Sequence, residues 1–160
     1  MCIRDSVGDA AEVESNWDAI KAAEKPARTS IFGGVAESAP ALSFAAKVQQ
    51  RAAKVGFDWA DAAGPMAKVS EELSEVEAAR AGADPEATMT EVGDLLFAVV
   101  NVARHLDVDP ESALRGAVGK FRARVEAVES LARENGREMS SMSPAELDGL
   151  WNMVKERGTH

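Results

Sequence analysis

Two short acidic segments contain residues whose types and spacing could bind a metal ion. The first is Glu71-Glu72-Leu73-Ser74-Glu75, and the second is Glu91-Val92-Gly93-Asp94. Carboxylates three or four residues apart lie on one face of a helix. If the two segments lie on facing helices, their carboxylates converge, repel one another and are costly to desolvate. A divalent cation relieves both costs, and carboxylate oxygens suit Mg²⁺ or Mn²⁺.

The sequence between these segments predicts a helical hairpin. Ala81-Gly82-Ala83-Asp84-Pro85 interrupts the helical pattern, so that helices over about 65–80 and 85–106 can fold back antiparallel. Helical spacing places three side chains of the first helix on one stripe and three of the second on one face. On the first helix these are Lys68, Glu72 and Glu75, with Glu71 further round. On the second they are Glu91, Asp94 and Asn101.

Two solvated, charged helix faces are the alternative interpretation of these stripes. Two features favour a site. An apolar run follows Asp94 directly, so this carboxylate lies at the edge of buried surface. Asn101 brings an uncharged amide to the same face within apolar sequence, and a buried amide needs a partner.

Composition predicts one soluble, helical domain. The chain has 160 residues, of which 46% are apolar and 28% charged, and it has no tyrosine, which favours helix over strand. The net charge of −9 argues against nucleic acid as a partner but not against a nucleotide, because a metal ion can reverse the local field. The one cysteine, Cys2, forms no internal disulfide and predicts a cytoplasmic setting. No apolar run is long enough for a membrane span, and no signal peptide is indicated.

The pattern divides the chain into three parts. Residues 1–6 fit no element and are interpreted as a non-native start, so we expect the natural protein to extend further upstream. Residues 7–37 predict a connector, with a polar helix over 9–24 and then a linker. Residues 38–160 predict the domain, with Ser38 as the first N-cap and helices over about 41–55, 65–80, 85–106 and 110–135. Ser143-Pro144-Ala145-Glu146 is typical of a capping box and opens a last helix through Lys155.

The third helix is expected to be the most buried. Its second half, Leu95-Leu96-Phe97-Ala98-Val99-Val100, is apolar nearly all round, so either the core or a second subunit must cover it. A di-iron bundle needs Glu-x-x-His motifs on two helices. Neither His105 nor His160 follows a glutamate by three residues, so this alternative fails, and His105 is interpreted as a partner of the helix dipole.

Basic residues and one tryptophan complete the candidate set. They are Lys68, Lys120, Arg124, Lys155 and Trp151. The cations are either ordinary surface charges or a clamp for a triphosphate. Trp151 belongs either to the core or to a platform on which a base stacks.

From about Leu42 to Lys155 the chain resembles the C-terminal domain of the MazG nucleoside triphosphate pyrophosphohydrolases. The resemblance rests on ordered stretches that include the two acidic segments. The others are Val55-Gly56-Phe57-Asp58-Trp59, Lys68-Val69-Ser70, Leu95 to Asn101, Ala103-Arg104-His105-Leu106, Lys120-Phe121 and Trp151-Asn152-Met153-Val154-Lys155. Residues 7–25 resemble the connector between the two domains of long MazG proteins.

The resemblance implies an all-α, MazG-like helical hairpin or four-helix bundle, completed by dimerisation. It implies Mg²⁺-dependent hydrolysis of nucleoside triphosphates between the α and β phosphates, with Mn²⁺ as a possible substitute. The implied metal ligands are Glu72, Glu75, Glu91 and Asp94, and Glu71 is the doubtful member.

Catalytic and substrate-binding residues follow from the same resemblance. It implies that Lys120 and Arg124 contact phosphate, where they would stabilise charge. A carboxylate beside the metal-bound water, Glu72 or Glu75, is expected to orient that water for attack on the α-phosphorus. The resemblance supports phosphate or nucleotide contact for Lys68, Lys120, Arg124 and Lys155, and Asn101 and Trp151 complete the expected substrate-binding set. Two alternatives stay open: a catalytically silent regulatory domain, and a narrower dUTP or phosphoribosyl-ATP pyrophosphohydrolase.

Overall fold

The computed structural model describes residues 30–158, and this part of the chain is all-α, as predicted. Its helices are α1 (Ala41–Ala53), α2 (Ala63–Ala81), α3 (Pro85–His105), α4 (Pro110–Glu134) and α5 (Pro144–Arg157), with a 3₁₀ turn (Met139–Ser141) before α5. No strand occurs between residues 30 and 158. The expected non-native start (1–6) and the expected helix over 9–24 lie outside the described residues, and the domain boundaries stay predictions.

The hairpin of α2 and α3 is the most extensive packing unit of the fold. The break between the two helices lies between Ala81 and Pro85, within the segment predicted from the sequence. Asp84 is the N-cap of α3, and its Oδ1 accepts from the N–H groups of Glu86 (3.0 Å) and Ala87 (3.1 Å). Pro85 follows at the first helical position, where its fixed φ suits a helix start. The acidic segments of the two helices are thereby set opposite each other.

The first helix begins at Ala41, as expected, but its N-cap differs from the expected one and it ends earlier than expected. Its N-cap is Pro40, with ψ 139°, so the expected cap at Ser38 is wrong. Because the backbone at Pro40 is extended, the helix starts only after Pro40, and Ser38 lies outside it. The helix ends at Ala53 rather than Val55 because Gly56 adopts φ 87°. This left-handed residue, which glycine accepts readily, reverses the chain, and the Phe57 N–H then donates to the Ala52 carbonyl (3.1 Å).

The last two helices form a unit of their own. Asp109 caps α4 through the Ser112 N–H (3.0 Å), and Gly136 with φ 66° follows its end. Val128, Ala132 and Leu150 are the buried centre between α4 and α5. The predicted capping box of α5 is present, since the Ser143 N–H donates to Glu146 Oε2 (2.8 Å).

Acid is expected to weaken this unit through Glu146. Its pKa is lowered to about 2, below the ordinary 4.5, by Arg137 first and then by Ser143. A carboxyl whose pKa is lower in the folded state stabilises the fold above its unfolded pKa, and that stability is lost as pH falls through the folded pKa. We therefore expect the thermal unfolding midpoints of the parent and Glu146→Gln to differ at neutral pH and to converge between about pH 4.5 and pH 2.

The matched control is Glu129→Gln. Glu129 forms an exposed ion pair with Arg133 on the same helix but caps no helix end, and such pairs contribute little. Its midpoint should lie close to that of the parent at every pH. A gap between the parent and Glu146→Gln that persists unchanged into acid would contradict the assignment.

The expectation that α3 is the most buried helix is wrong for the described chain. Ala98 and Val100 are buried at 6% and 1%, but Leu96 and Val99 are 53% and 47% exposed. The reason is that α1 and α2 cover only part of the circumference of α3. Val92, Leu96 and Val99 recur at helical spacing on an exposed apolar stripe, hereafter the α3 stripe. None of the described helices has the length and apolarity needed to cross a membrane.

Candidate metal centre

Three carboxylates of α2 and α3 converge at the middle of the hairpin. One oxygen each from Glu72, Glu91 and Asp94 lie within 4.8 Å of one another. Glu72 is buried, Glu91 is half-buried and Asp94 is exposed, so the cluster opens towards solvent on the α3 side. The structure therefore brings together three of the four residues named above as metal ligands.

The buried member of the cluster is held by Lys68, one turn before it on α2. The Lys68 ammonium forms an ion pair with Glu72 and another with Glu71 at 3.0 Å. Glu71 is exposed and pairs on the flank of the cluster, which separates it from the three converging residues. The second oxygen of Glu72, Oε2, is buried and has no hydrogen-bond partner within the described part of the chain.

Glu75 contacts the cluster through Glu72. The neighbouring Glu72 carboxyl first, and then desolvation, raise the pKa of Glu75. The ammonium of Lys68 does the opposite for Glu72 and lowers its pKa. Glu72 is thus the carboxylate that stays ionised, and Glu75 is the one that binds a proton more readily. A cation would remove the repulsion that raises the pKa of Glu75.

These residues fit a hard divalent cation. Carboxylate oxygens are the ligands that Mg²⁺ and Mn²⁺ prefer. A buried, unpartnered carboxylate oxygen is costly, and Glu72 Oε2 has that cost beside two further carboxylates. The arrangement can therefore hold a metal ion, with the open side of the cluster left for a ligand.

Further along α3, a polar network ties the helix to the turn that follows α1. The Arg104 guanidinium donates to Asp58 (2.8 Å from Nη1 to Oδ2) and to the Asn101 side-chain oxygen (2.7 Å from Nη2). His105 Nε2 lies 3.1 Å from Asp58. Arg104, followed by His105 and the Trp59 N–H, outweighs desolvation and holds the pKa of Asp58 at about 2.

This network gives Asn101 the partner that its position requires. Sequence reasoning missed the role of Arg104 and Asp58, although both lie in the stretches quoted for the resemblance. The signal that could have found them is their opposite charge next to apolar sequence. Asp58 lies between two aromatic residues, and Arg104 follows the apolar run of α3. His105 lies in the last turn of α3, where the sequence places it, and contacts Asp58 as well.

The remaining basic and aromatic candidates lie on α4 and α5. The Arg124 guanidinium lies 5.9 Å from the centre of the Trp151 ring, and the Phe121 ring lies 5.7 Å from it. Lys120 and Arg124 share one cavity of about 660 Å³. Because α4 packs mainly on α5 and only slightly on α3, Lys120, Arg124, Trp151 and Lys155 form a group apart from the acidic cluster.

The fold and the site define an all-α protein with a carboxylate cluster on a helical hairpin. Residues 61–129 match the MazG nucleotide pyrophosphohydrolase domain. That range contains α2, α3 and most of α4 and includes every member of the acidic cluster. Residues 61–129 therefore belong to the MazG family.

Curated relatives support the same assignment. A nucleoside triphosphate pyrophosphohydrolase/pyrophosphatase MazG of Thermotoga maritima is 42% identical over 140 residues, which are 87% of this chain and 54% of that protein. A nucleoside triphosphate pyrophosphohydrolase of Escherichia coli K12 is 39% identical over 156 residues, 95% of this chain and 59% of that protein. An uncharacterized protein, YabN, of Bacillus subtilis is 45% identical over 152 residues. The chain thus spans less than two thirds of the length of the first two relatives.

Proposed function

We propose that this domain hydrolyses nucleoside triphosphates to the monophosphate and pyrophosphate in the cytoplasm, with Mg²⁺ as its metal ion and Mn²⁺ as a substitute. The observation that carries the proposal is the convergence of Glu72, Glu91 and Asp94 around a buried Glu72 oxygen that has no hydrogen-bond partner among residues 30–158. The names of the relatives from Thermotoga maritima and Escherichia coli support the same activity.

Glu72, Glu91 and Asp94 would hold the metal ion, and Glu75 would complete the set when the cation removes its repulsion from Glu72. When bound, Mg²⁺ neutralises phosphate charge and lowers the pKa of water. Lys68 keeps Glu72 ionised and in place. Glu72 or Glu75 orients a water towards the α-phosphorus and takes its proton. The new bond forms from the water oxygen to phosphorus, the bond from phosphorus to the α,β-bridging oxygen breaks, and its electron pair leaves with pyrophosphate.

The basic side chains of α4 and α5 would stabilise the negative charge on the leaving pyrophosphate. Arg and Lys side chains stabilise transferring phosphoryl groups, and Lys120 and Arg124 lie beside one cavity. We assign Lys68, Lys120, Arg124 and Lys155 to phosphate contacts and Asn101 to contact with the nucleoside. We assign Trp151 to a platform on which the base stacks.

A homodimer would complete the site. The α3 stripe is exposed, and α4 carries a second exposed apolar row, Leu114, Val118 and Phe121, hereafter the α4 stripe. The two stripes have the same helical spacing, so the α3 stripe of one chain can pack on the α4 stripe of its partner. A two-fold axis makes both contacts at once. The dimer would bring the cations of one chain to the acidic cluster of the other.

The direct test is product analysis. Incubation of the chain with ATP and Mg²⁺ is expected to release AMP and pyrophosphate in equal amounts. Excess chelator should stop the reaction, and added Mg²⁺ or Mn²⁺ should restart it. Nucleotides separated by ion-exchange chromatography, together with a pyrophosphate-specific coupled assay, measure both products. Orthophosphate as the sole phosphate product, or full activity in chelator, would overturn the proposal.

A further inference from the structure

Three basic side chains line one cavity between α4 and α5, hereafter the basic cavity. They are Lys120 and Arg124 on α4 and Arg157 in the last turn of α5. The cavity has a volume of about 660 Å³, and its walls include Ala123 and Ala127, whose small side chains leave space beside the charged groups. Lys120 and Arg124 are assigned to phosphate above, which leaves Arg157 as the basic residue of this cavity without a role.

Ion pairing distinguishes these three residues from the other arginines of α4. Those arginines each pair with a glutamate one turn away: Arg115 with Glu111, Arg122 with Glu126 and Arg133 with Glu129. Lys120, Arg124 and Arg157 form no ion pair with any residue between 30 and 158. The positive charge that no carboxylate compensates is therefore gathered at the basic cavity, in a chain whose net charge is −9. Such a cavity attracts an anion.

The order of the groups along the two helices gives this anion a direction. The Arg124 guanidinium lies 5.9 Å from the centre of the Trp151 ring. Lys120 precedes Arg124 by four residues and Arg157 follows Trp151 by six, which at 1.5 Å per residue is about 6 Å and about 9 Å along the helix axes. Because the chain reverses at Gly136, both steps lead away from that turn. A ligand that stacks on Trp151 and extends this way passes Arg124 and reaches Arg157.

We infer that Arg157 binds the terminal phosphate of the substrate and thereby selects triphosphates over diphosphates. The inference rests on the proposed function, since it takes the base to stack on Trp151 and takes Lys120 and Arg124 to contact phosphate. A guanidinium binds a phosphate through two parallel N–H···O bonds, which a lysine cannot form. The phosphate furthest from the base reaches Arg157, and a diphosphate lacks that phosphate. Arg157 then stays with the leaving pyrophosphate and not with the monophosphate.

The alternative is that Arg157 contributes to stability alone. A basic side chain in the last turn of a helix interacts favourably with the helix dipole, and α5 carries Lys155 and Arg157 there. In that case Arg157→Gln lowers the thermal unfolding midpoint and leaves nucleotide binding unchanged. The position of Arg157 on the same cavity as Lys120 and Arg124 favours phosphate contact, because a role at the helix end alone requires no other cation beside it.

The test is calorimetric binding of α,β-methylene-ATP and α,β-methylene-ADP to the full chain with Mg²⁺, since neither compound can be cleaved between the α and β phosphates. The parent should bind the ATP analogue more tightly. Arg157→Gln should bind the ATP analogue about tenfold more weakly, as loss of one charge-assisted hydrogen bond implies, and the ADP analogue as the parent does. Arg157→Lys, which keeps the charge, should retain part of the preference.

Arg122→Gln is the matched control. It removes the same charge from a position between Lys120 and Arg124, but Arg122 pairs with Glu126 and is not part of the cavity wall. Its preference for the ATP analogue should equal that of the parent. Loss of preference in this variant would show that net charge, and not a contact with Arg157, sets the selectivity.

The outcomes separate this inference from the proposed function. If the parent releases no pyrophosphate from ATP, the proposed function falls and the inference falls with it. If the parent is active but binds the two analogues alike, only the role of Arg157 is wrong. The same holds if Arg157→Gln keeps the preference of the parent, whether or not its thermal midpoint falls. Circular dichroism of each variant shows that a change in preference reflects the cavity rather than unfolding.

Discussion

Glu72→Gln is expected to lower kcat for pyrophosphate release by about 10²- to 10³-fold, the loss typical when one preorganised charge-stabilising group is removed. Glu72 is the buried member of the cluster and lies at its centre, with Lys68 on one oxygen and the other oxygen unpartnered within the described chain. Gln has the same shape but no charge, so it can still accept from Lys68 while the cluster loses a ligand for the cation. The helices should therefore stay folded.

Circular dichroism and steady-state kinetics measure the two parts of this result. Glu77→Gln is the matched control, because Glu77 is an exposed glutamate on the same helix outside the acidic cluster. Its kcat should equal that of the parent. Asp94→Asn should lower kcat as Glu72→Gln does, although Asp94 is exposed, since the loss comes from the metal and not from burial. If Glu72→Gln keeps both its helical signal and its activity, the metal centre lies elsewhere.

Local sequence rules predicted the hairpin and the ends of the last helices. The Asp84-Pro85 start of α3, the Asp109 cap of α4 and the capping box at Ser143 each depend on residues within one turn. Such signals act through short-range hydrogen bonds and need no knowledge of the rest of the chain. The convergence of the acidic segments follows from the hairpin, which is why spacing alone pointed to it.

The parts that sequence reasoning missed depend on contacts between distant residues. Gln49 donates to Phe97 across 48 positions of the chain, and Arg104 reaches back 46 positions to Asp58. The helical period of α1 places Gln49, unlike its exposed neighbour Gln50, on the face of Leu42 and Ala45, but it does not identify the distant carbonyl that Gln49 contacts. The burial of α3 was predicted wrongly for a related reason. An apolar run tells that a surface must be covered, but not whether this chain or a second one covers it.

A substitution in the α3 stripe is the second change for which we expect a large effect, because it would disrupt the proposed dimer. Leu96→Glu, in the centre of the α3 stripe, is expected to convert a dimer to a monomer and to lower kcat by at least about tenfold. In an apolar interface the new carboxylate would be desolvated and without a partner, which is costly. Val55→Glu is the control. Val55 is 59% exposed but lies in the turn after α1, outside both stripes, so its variant should stay dimeric. Light scattering coupled to gel filtration gives the mass, and a dimeric Leu96→Glu chain would contradict this interface.

Mixing two inactive variants tests whether each site takes residues from both chains. If the acidic cluster of one chain works with the cations of its partner, a dimer of Glu72→Gln with Lys120→Ala has one site with both defects and one with neither. Random exchange should then restore about a quarter of the parent activity. Glu72→Gln mixed with Glu91→Gln should restore nothing, because both residues belong to the hairpin of one chain. Absence of rescue in the first mixture, with exchange of chains verified by mass, would place the cations in the same chain as the cluster, and α4 would then have to turn towards α2 and α3 when substrate binds.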